Sequence, residues 1–127
     1  MIISFLFLFF LIFLPLLIEN SKKNMGETER AYAPGNFVSL SKGLVHYRWF
    51  GEKPNDLVVC VHGLTTPSFV FESLAEYYVK IDKCVLVFDN YGRGYSDRPK
   101  GKQDKEFFIN QLDELLDKLD LNKEKFE

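Results

Sequence analysis

The sequence is poor in the residues that build metal centres and disulfide scaffolds, with two cysteines and two histidines in 127 residues. A structural zinc site takes four such ligands at close spacing. The two histidines and two cysteines of this chain are separated from one another, so we expect no metal ion. Cys60 lies near the end of one predicted strand and Cys84 at the start of another. If these strands pair in parallel, a stagger of about three residues separates the thiols by roughly 10 Å, which is too far for a disulfide.

Clustered positive charge is also lacking. The formal net charge is −2, and the 16 lysine and arginine residues are scattered along the chain. Neither a basic patch nor a nucleic-acid-binding motif is present, so we expect no nucleic acid partner. The stretch "GRGYSD" has Asp97 where a dinucleotide-binding loop needs its third glycine, and we expect no cofactor.

One long apolar run is present at the N-terminus. Residues 2–18 are apolar apart from Ser4. A helix of this length extends about 26 Å, slightly less than a bilayer core and slightly more than the apolar core of a signal peptide. No lysine or arginine precedes the run, and no small-x-small cleavage site follows it. We therefore expect a membrane anchor, with a cleaved signal peptide and secretion as the alternative.

The residues that follow this run predict its orientation and a linker. Lys22, Lys23 and Arg30 all follow the run. By the positive-inside rule, the rest of the chain is expected in the cytosol. Residues 19–35 are polar, carry both signs of charge and end in Pro-Gly, which predicts a linker between the segment at 1–18 and a domain over residues 36–127.

The domain begins with patterns typical of strands. Residues 37–41 and 44–50 flank a Ser-Lys-Gly turn and predict a hairpin. In the second strand apolar residues alternate with polar ones, so His46 is expected on an exposed face. The apolar runs "LVVCV" at 57–61 and "CVLVFD" at 84–89 predict strands buried on both faces.

Two helical patterns complete the domain. The first has Thr66 as its predicted N-cap and Pro67 at the first helical position. Its apolar stripe is Val70, Leu74, Tyr77, Tyr78 and Ile81. The second covers residues 104–121, with an apolar face of Phe108, Leu112, Leu115, Leu116 and Leu119. A hairpin followed by strand, helix, strand and helix predicts an α/β fold with a mostly parallel sheet.

Polar segments follow the two buried strands, at the edge where open α/β sheets bind ligands. They are "HGLTT" at 62–66 and "DNYGRGYSD" at 89–97. Gly63 permits a close approach to the backbone, and the helix behind it directs unpaired N–H groups toward the loop. Such a place suits a negatively charged oxygen. From the residues alone, the alternative that Gly63 only permits a turn and that His62 only packs stays open.

The two stretches "VVCVHGLTTPSFVFESLA" and "VLVFDNYGRGYSDRP" together resemble the first half of the α/β-hydrolase fold. The resemblance is to the serine-hydrolase branch of lipases, esterases and serine aminopeptidase-like enzymes, and it covers residues 36–127. It implies that His62 and Gly63 belong to an oxyanion hole and that the backbone N–H of Leu64 is one donor. It also implies supporting roles in the second loop for Asp89, Gly92, Arg93, Gly94 and Ser96.

The catalytic triad of that family has no counterpart in these 127 residues. In "GYSDR", Arg98 replaces the second glycine of G-x-S-x-G, and no strand leads directly into Ser96. The family's base lies near the C-terminal end of the domain, so neither His46 nor His62 is expected to act as a base. We expect no catalytic residue in this chain and a nucleophile strand that begins near Phe126.

The resemblance therefore implies the N-terminal fragment of a membrane-associated hydrolase, with a Ser-His-Asp triad beyond Glu127. The implied substrate is a small-molecule ester or amide, with a lipid as one form of it. One alternative is a non-catalytic, membrane-anchored binding protein. Another is a relative of epoxide hydrolases or dehalogenases, although these usually have a proline shortly after His-Gly, where this chain has Leu64-Thr65.

Overall fold

A computed structural model of the chain describes residues 2–21, 25–52 and 56–121, and within the first helix it describes the side chains of residues 9–18. The elements in chain order are α1 (Ile2–Ser21), α2 (Glu27–Arg30), β1 (Asn36–Leu40), β2 (Gly43–Phe50), β3 (Leu57–Val61), a 3-10 turn (Ser68–Phe71), α3 (Glu72–Val79), β4 (Cys84–Phe88) and α4 (Lys105–Lys118). Lys22, Lys23 and Phe126, which carry the expected orientation and the expected nucleophile strand, lie outside the described residues.

The four strands form one sheet in the order β1-β2-β4-β3. β1 and β2 form the predicted hairpin, and β3 pairs in parallel with β4 across the predicted helical connection. The expectation of a mostly parallel sheet is wrong for the described residues. The reason is that β2 lies between β1 and β4 and is antiparallel to both, so that only the β3–β4 pairing is parallel.

Helices cover both faces of the sheet. Alternate residues of β4 point to opposite sides, and each set packs against a different helix. On one side, Phe107 and Leu115 of α4 belong to a core cluster that includes Val45 and Phe88. On the other side, the cluster consists of Cys60, Ala75, Val85 and Val87. α4 begins where the carboxylate of Asp104 accepts a hydrogen bond from the N–H of Phe107 at 3.1 Å, as a helix N-cap does.

The two parallel strands differ in burial. β4 is buried along its whole length, as predicted, because β2 and β3 flank it. β3 is at one edge of the sheet among the described residues, so the prediction that it is buried on both faces is wrong, and Val61 is 50% exposed. The register pairs Leu57 with Cys84, three residues before Cys60. Both cysteines are buried and neither forms a disulfide, as the stagger of the strands predicted.

The helix after the His-Gly loop differs from its predicted form. It begins as the 3-10 turn, with Pro67 rather than Thr66 as the cap residue, and continues as α3. Ala75 is the α3 residue buried against the sheet. Of the predicted stripe, Tyr78 packs against the same cluster, whereas Val70, Leu74, Tyr77 and Ile81 are exposed. The small side chain of Ala75 lets α3 lie close to the sheet. The predicted stripe was based on large apolar residues, such as Leu74, which directly precedes Ala75.

The apolar run at the N-terminus lies in α1, which contains Pro15. Most of the large apolar residues described in this helix, such as Phe10 and Leu17, are more than half exposed. Among the residues that the structure describes, no helix combines the length and apolar character needed to cross a membrane.

Candidate active site

The loops that follow β3 and β4 lie side by side, because the ends of parallel neighbouring strands meet at one edge of the sheet. His62, which is buried, connects the two loops. Its Nε2 accepts a hydrogen bond from the backbone N–H of Asn90 at 2.8 Å, and its carbonyl accepts one from Asn90 Nδ2 at 3.0 Å. The two segments that the sequence analysis singled out are therefore parts of one site.

His62 also fixes the peptide group that carries the predicted donor. Because Nε2 accepts a hydrogen bond, the proton of the neutral ring lies on Nδ1, which donates to the carbonyl of Gly63 at 2.6 Å. The C=O and N–H of a trans peptide point in opposite directions, so the N–H of Leu64 points away from His62. No described residue accepts a hydrogen bond from this N–H. Leu64 thus presents a fixed and unused donor.

Arg93 holds the next carbonyl along the chain. Its Nε donates to the carbonyl of Leu64 at 2.7 Å. Its Nη1 donates to the carbonyl of Tyr91 at 3.2 Å and to Oε1 of Gln103 at 3.1 Å. The carbonyls on both sides of the Leu64 N–H are therefore held, one by His62 and the other by Arg93.

The backbone at Gly63 does not itself require glycine. Its φ is outside the left-handed region, and a Cβ built on it would meet no atom within 4 Å. A tight turn therefore does not explain the residue, and the side of the loop that a Cβ would occupy is open. This is the geometry expected where another group approaches the backbone.

The buried carboxylate of Asp89 stabilises the loop after β4 through hydrogen bonds. Its Oδ1 accepts a hydrogen bond from the N–H of Ser68 at 2.8 Å, and its Oδ2 accepts one from the N–H of Tyr95 at 3.0 Å and one from Nδ1 of His46 at 2.8 Å. Burial raises the pKa of Asp89, but the hydrogen bonds from His46, Ser68 and Tyr95 outweigh burial and hold this pKa below the ordinary value of 3.8. The carboxylate is therefore ionised at neutral pH.

His46, expected on an exposed face, is instead buried, and that expectation is wrong. Its Nδ1 faces Asp89, and its Nε2 lies 2.5 Å from the carbonyl of Pro34. Each ring nitrogen of His46 thus lies at hydrogen-bond distance from an oxygen atom. The alternation of β2 indicated an open face, but residues before β1 cover that face. The burial of His46 can be predicted only once β2 is known to pair with β4, the strand that precedes Asp89.

Two further predicted residues of the second loop, Ser96 and Gly94, contact Asp89. Ser96 is buried, and its Oγ donates to the carbonyl of Asp89 at 2.7 Å and accepts from the N–H of His46 at 2.9 Å. Gly94, at φ +50°, lies against the Asp89 carboxylate, which a Cβ would overlap. Gly92 has φ +77°, a conformation that also favours glycine.

Gln111, which was not among the predicted site residues, connects α4 to this loop. Its Oε1 accepts a hydrogen bond from the N–H of Tyr91 at 2.9 Å, and its Nε2 donates to the carbonyl of Asp89 at 3.1 Å. A buried polar residue on the inner face of an amphipathic helix was the available signal. Within residues 2–21, 25–52 and 56–121, no three His, Cys, Asp or Glu side chains are grouped to hold a metal ion.

Comparison with known proteins gives structural matches alone, since no protein-family model and no curated protein sequence matches the chain. An esterase from Exiguobacterium antarcticum is similar with a TM-score of 0.63 and 21% identity, over 69% of this chain and 32% of that one. An enol-lactonase from Burkholderia xenovorans LB400 has a TM-score of 0.62 and 25% identity, over 67% and 33%. The haloalkane dehalogenase DpaA from Paraglaciecola agarilytica NO2 has a TM-score of 0.67 and 23% identity, over 79% and 38%.

These structures are all members of the α/β-hydrolase fold. At 21% to 25% identity, the likeness is one of fold. This chain covers about a third of the length of each of them. The predicted roles of the two loops remain predictions, to which the geometry above adds a structural basis.

The two loop glycines provide a matched test of the geometry. Gly94→Ala places a Cβ against a buried carboxylate at positive φ, and we expect it to lower the free energy of unfolding by about 2–4 kcal/mol. Gly63→Ala meets open space, and we expect a change within about 0.5 kcal/mol. Urea unfolding followed by circular dichroism measures both values. Equal losses in the two variants would contradict the described loops.

The Asp89 carboxylate predicts acid sensitivity. Its pKa is lower in the folded than in the unfolded chain, so the ionised group stabilises the fold above about pH 4, and this stabilisation is lost as the pH falls through the folded-state pKa. We expect Asp89→Asn to be less stable by about 3 kcal/mol at pH 7 and to lose less stability in acid. Urea unfolding from pH 7 to pH 2 tests this, and parallel pH profiles for variant and wild type would refute it.

Proposed function

Since this chain has part of the α/β-hydrolase fold that those structures share, we propose that it is the N-terminal part of a hydrolase that cleaves an ester or an amide. The observation that carries the proposal is the unused backbone N–H of Leu64, held by hydrogen bonds to the carbonyls on either side of it. Attack on a carbonyl carbon places negative charge on its oxygen, and a donor fixed in advance stabilises that charge. In this proposal His62 and Gly63 position the donor.

In this proposal the nucleophile lies outside these residues. No G-x-S-x-G sequence occurs in the 127 residues, so we place the Ser-His-Asp triad beyond Glu127. The outer edge of β3 pairs with no strand among the described residues. A further parallel strand added at this edge would end beside Leu64, which is where an attacking serine is needed.

The structures to which this chain is similar support hydrolysis as the reaction, but they cleave different types of bond. The names esterase and enol-lactonase favour an ester, and a lipid ester is one form of it. The dehalogenase keeps a second candidate open, in which an aspartate is the nucleophile and the substrate is a halide or an epoxide. A fluorophosphonate probe distinguishes the two, because it labels activated serine.

Substitution at Leu64 tests the proposed donor. Leu64→Pro removes the N–H, whereas Leu64→Ala retains it and alters only a side chain that is 68% exposed. In a gene product that joins residues 1–127 to the proposed triad, we expect Leu64→Pro to slow fluorophosphonate labelling and ester hydrolysis by about 10²- to 10³-fold. Leu64→Ala should remain within about threefold of wild type, since removal of an exposed side chain changes little.

The controls separate the two parts of this proposal. Thermal unfolding must show that the Leu64→Pro protein is folded. Equal rates for the proline and alanine variants would overturn the assignment of Leu64. Residues 1–127 alone should not be labelled, and covalent labelling of this chain would show that it contains a nucleophile. Absence of labelling in every product that contains the chain would contradict a serine hydrolase.

We also propose that residues 2–18 attach the protein to a membrane, with the domain in the cytosol. The support is the continuous apolar sequence and the basic residues that follow it. We expect the protein to stay with the membrane fraction after extraction at alkaline pH. Replacing Leu11 and Phe13 by arginine should release it, because each arginine costs about 2.5–3.5 kcal/mol at the centre of an inserted helix. Release of the wild type itself would contradict the anchor.

A further inference from the structure

A polar cleft of about 560 Å³ opens beside the His-Gly loop. Arg93, Arg98 and Gln103 line it, together with Thr65 and the backbone at Gly92 and Gly94. None of the lining residues is an aspartate or a glutamate. Among the described residues, the lining of the cleft thus contains two cationic side chains and no anionic one.

The charge of Arg93 is held in place without being neutralised. Its hydrogen bonds go to the carbonyls of Leu64 and Tyr91 and to the amide oxygen of Gln103, which are all neutral. Among the described residues, no carboxylate pairs with Arg93, and its Nη2 donates no hydrogen bond. The guanidinium therefore keeps a free donor and a full positive charge in a fixed orientation.

Other arginines of the chain lie in a different environment. Arg30 forms an ion pair with Asp97, and Arg48 forms one with Glu72. Arg48 lines a second cleft, of about 500 Å³, whose lining includes the carboxylates of Glu72 and Asp89. Of these two clefts, the one beside the His-Gly loop has cationic side chains and, among the described residues, no carboxylate in its lining.

We propose that this cleft binds an oxyanion group of the substrate, a carboxylate or a phosphate, and that Arg93 is its principal contact. A guanidinium recognises such groups through paired, charge-assisted hydrogen bonds. This inference rests on the proposed function and deepens it, since it makes the substrate an anionic ester or amide. Arg93 also holds the carbonyl of Leu64, so an anion bound there places the rest of the substrate next to the unused N–H.

Anion binding can be measured on the full 127-residue chain without any catalysis. In a nonionic detergent, we would follow the Arg93 Nε–H and the backbone amides of Leu64, Thr65 and Gly92 by ¹H–¹⁵N NMR. The probes are acetate, methyl phosphate and the neutral analogue acetamide. We expect saturable shifts with the anions in the millimolar range and none with acetamide. The tighter of the two anions identifies a carboxylate or a phosphate as the recognised group.

Variants separate the charge of Arg93 from its role in the loop. Arg93→Gln should weaken anion binding by about tenfold, which is typical for loss of a hydrogen bond to a charged group. Arg93→Lys keeps the charge and should bind more tightly than Arg93→Gln. Arg98→Gln should weaken binding a few-fold, and Lys80→Gln, an exposed charge on another surface, should leave it unchanged.

Three results would overturn the inference: no saturable shift with either anion, equal shifts with acetamide, or equal binding by the Arg93→Gln and Arg93→Lys variants. Because this assay needs no nucleophile, its failure leaves the Leu64 donor standing. Failure of the labelling experiments, in turn, leaves a measured anion site in place.

Discussion

The carboxylate of Asp89 is almost fully removed from water, with 2% of the residue exposed, and a buried charge must be met by hydrogen-bond donors. His46, Ser68 and Tyr95 supply them, from β2, from the 3-10 turn and from the loop after β4. Hydrogen bonds to charged groups contribute about 1.5–3 kcal/mol each, so displacement of any one of these elements is costly. The positions of three separate segments therefore depend on one ionised side chain.

The hydrogen bonds around Asp89 also determine the position of the His-Gly loop. With the loop after β4 fixed, the Asn90 N–H meets the ring of His62, and Arg93 meets the carbonyl of Leu64. These contacts in turn fix the peptide between Gly63 and Leu64. The donor is thus placed by the fold before any ligand is present, and a donor that needs no reorganisation is the kind that stabilises a transition state.

The features that could be predicted from the sequence are those set by local patterns. Continuous apolar runs located β3 and β4, and the polar segments behind them located the site, because strand ends of parallel neighbours coincide. The burial of His46 could not be predicted, since it depends on the pairing of β2 with β4 and on Pro34, which precedes β1. The buried face of α3 was predicted only in part, because Tyr78 of the predicted stripe packs against the cluster but the fully buried residue is small Ala75.

The central claim is that hydrogen bonds between the two loops leave the Leu64 N–H as a fixed, unused donor, and the ring of His62 reports on this most directly. A long-range ¹H–¹⁵N NMR spectrum of that ring would show which nitrogen carries the proton. The structure predicts a proton on Nδ1 and a hydrogen-bond coupling between Nε2 and the Asn90 amide. A proton on Nε2 would contradict the account, because Nε2 could then accept nothing from Asn90 and the Gly63 carbonyl would lose its donor.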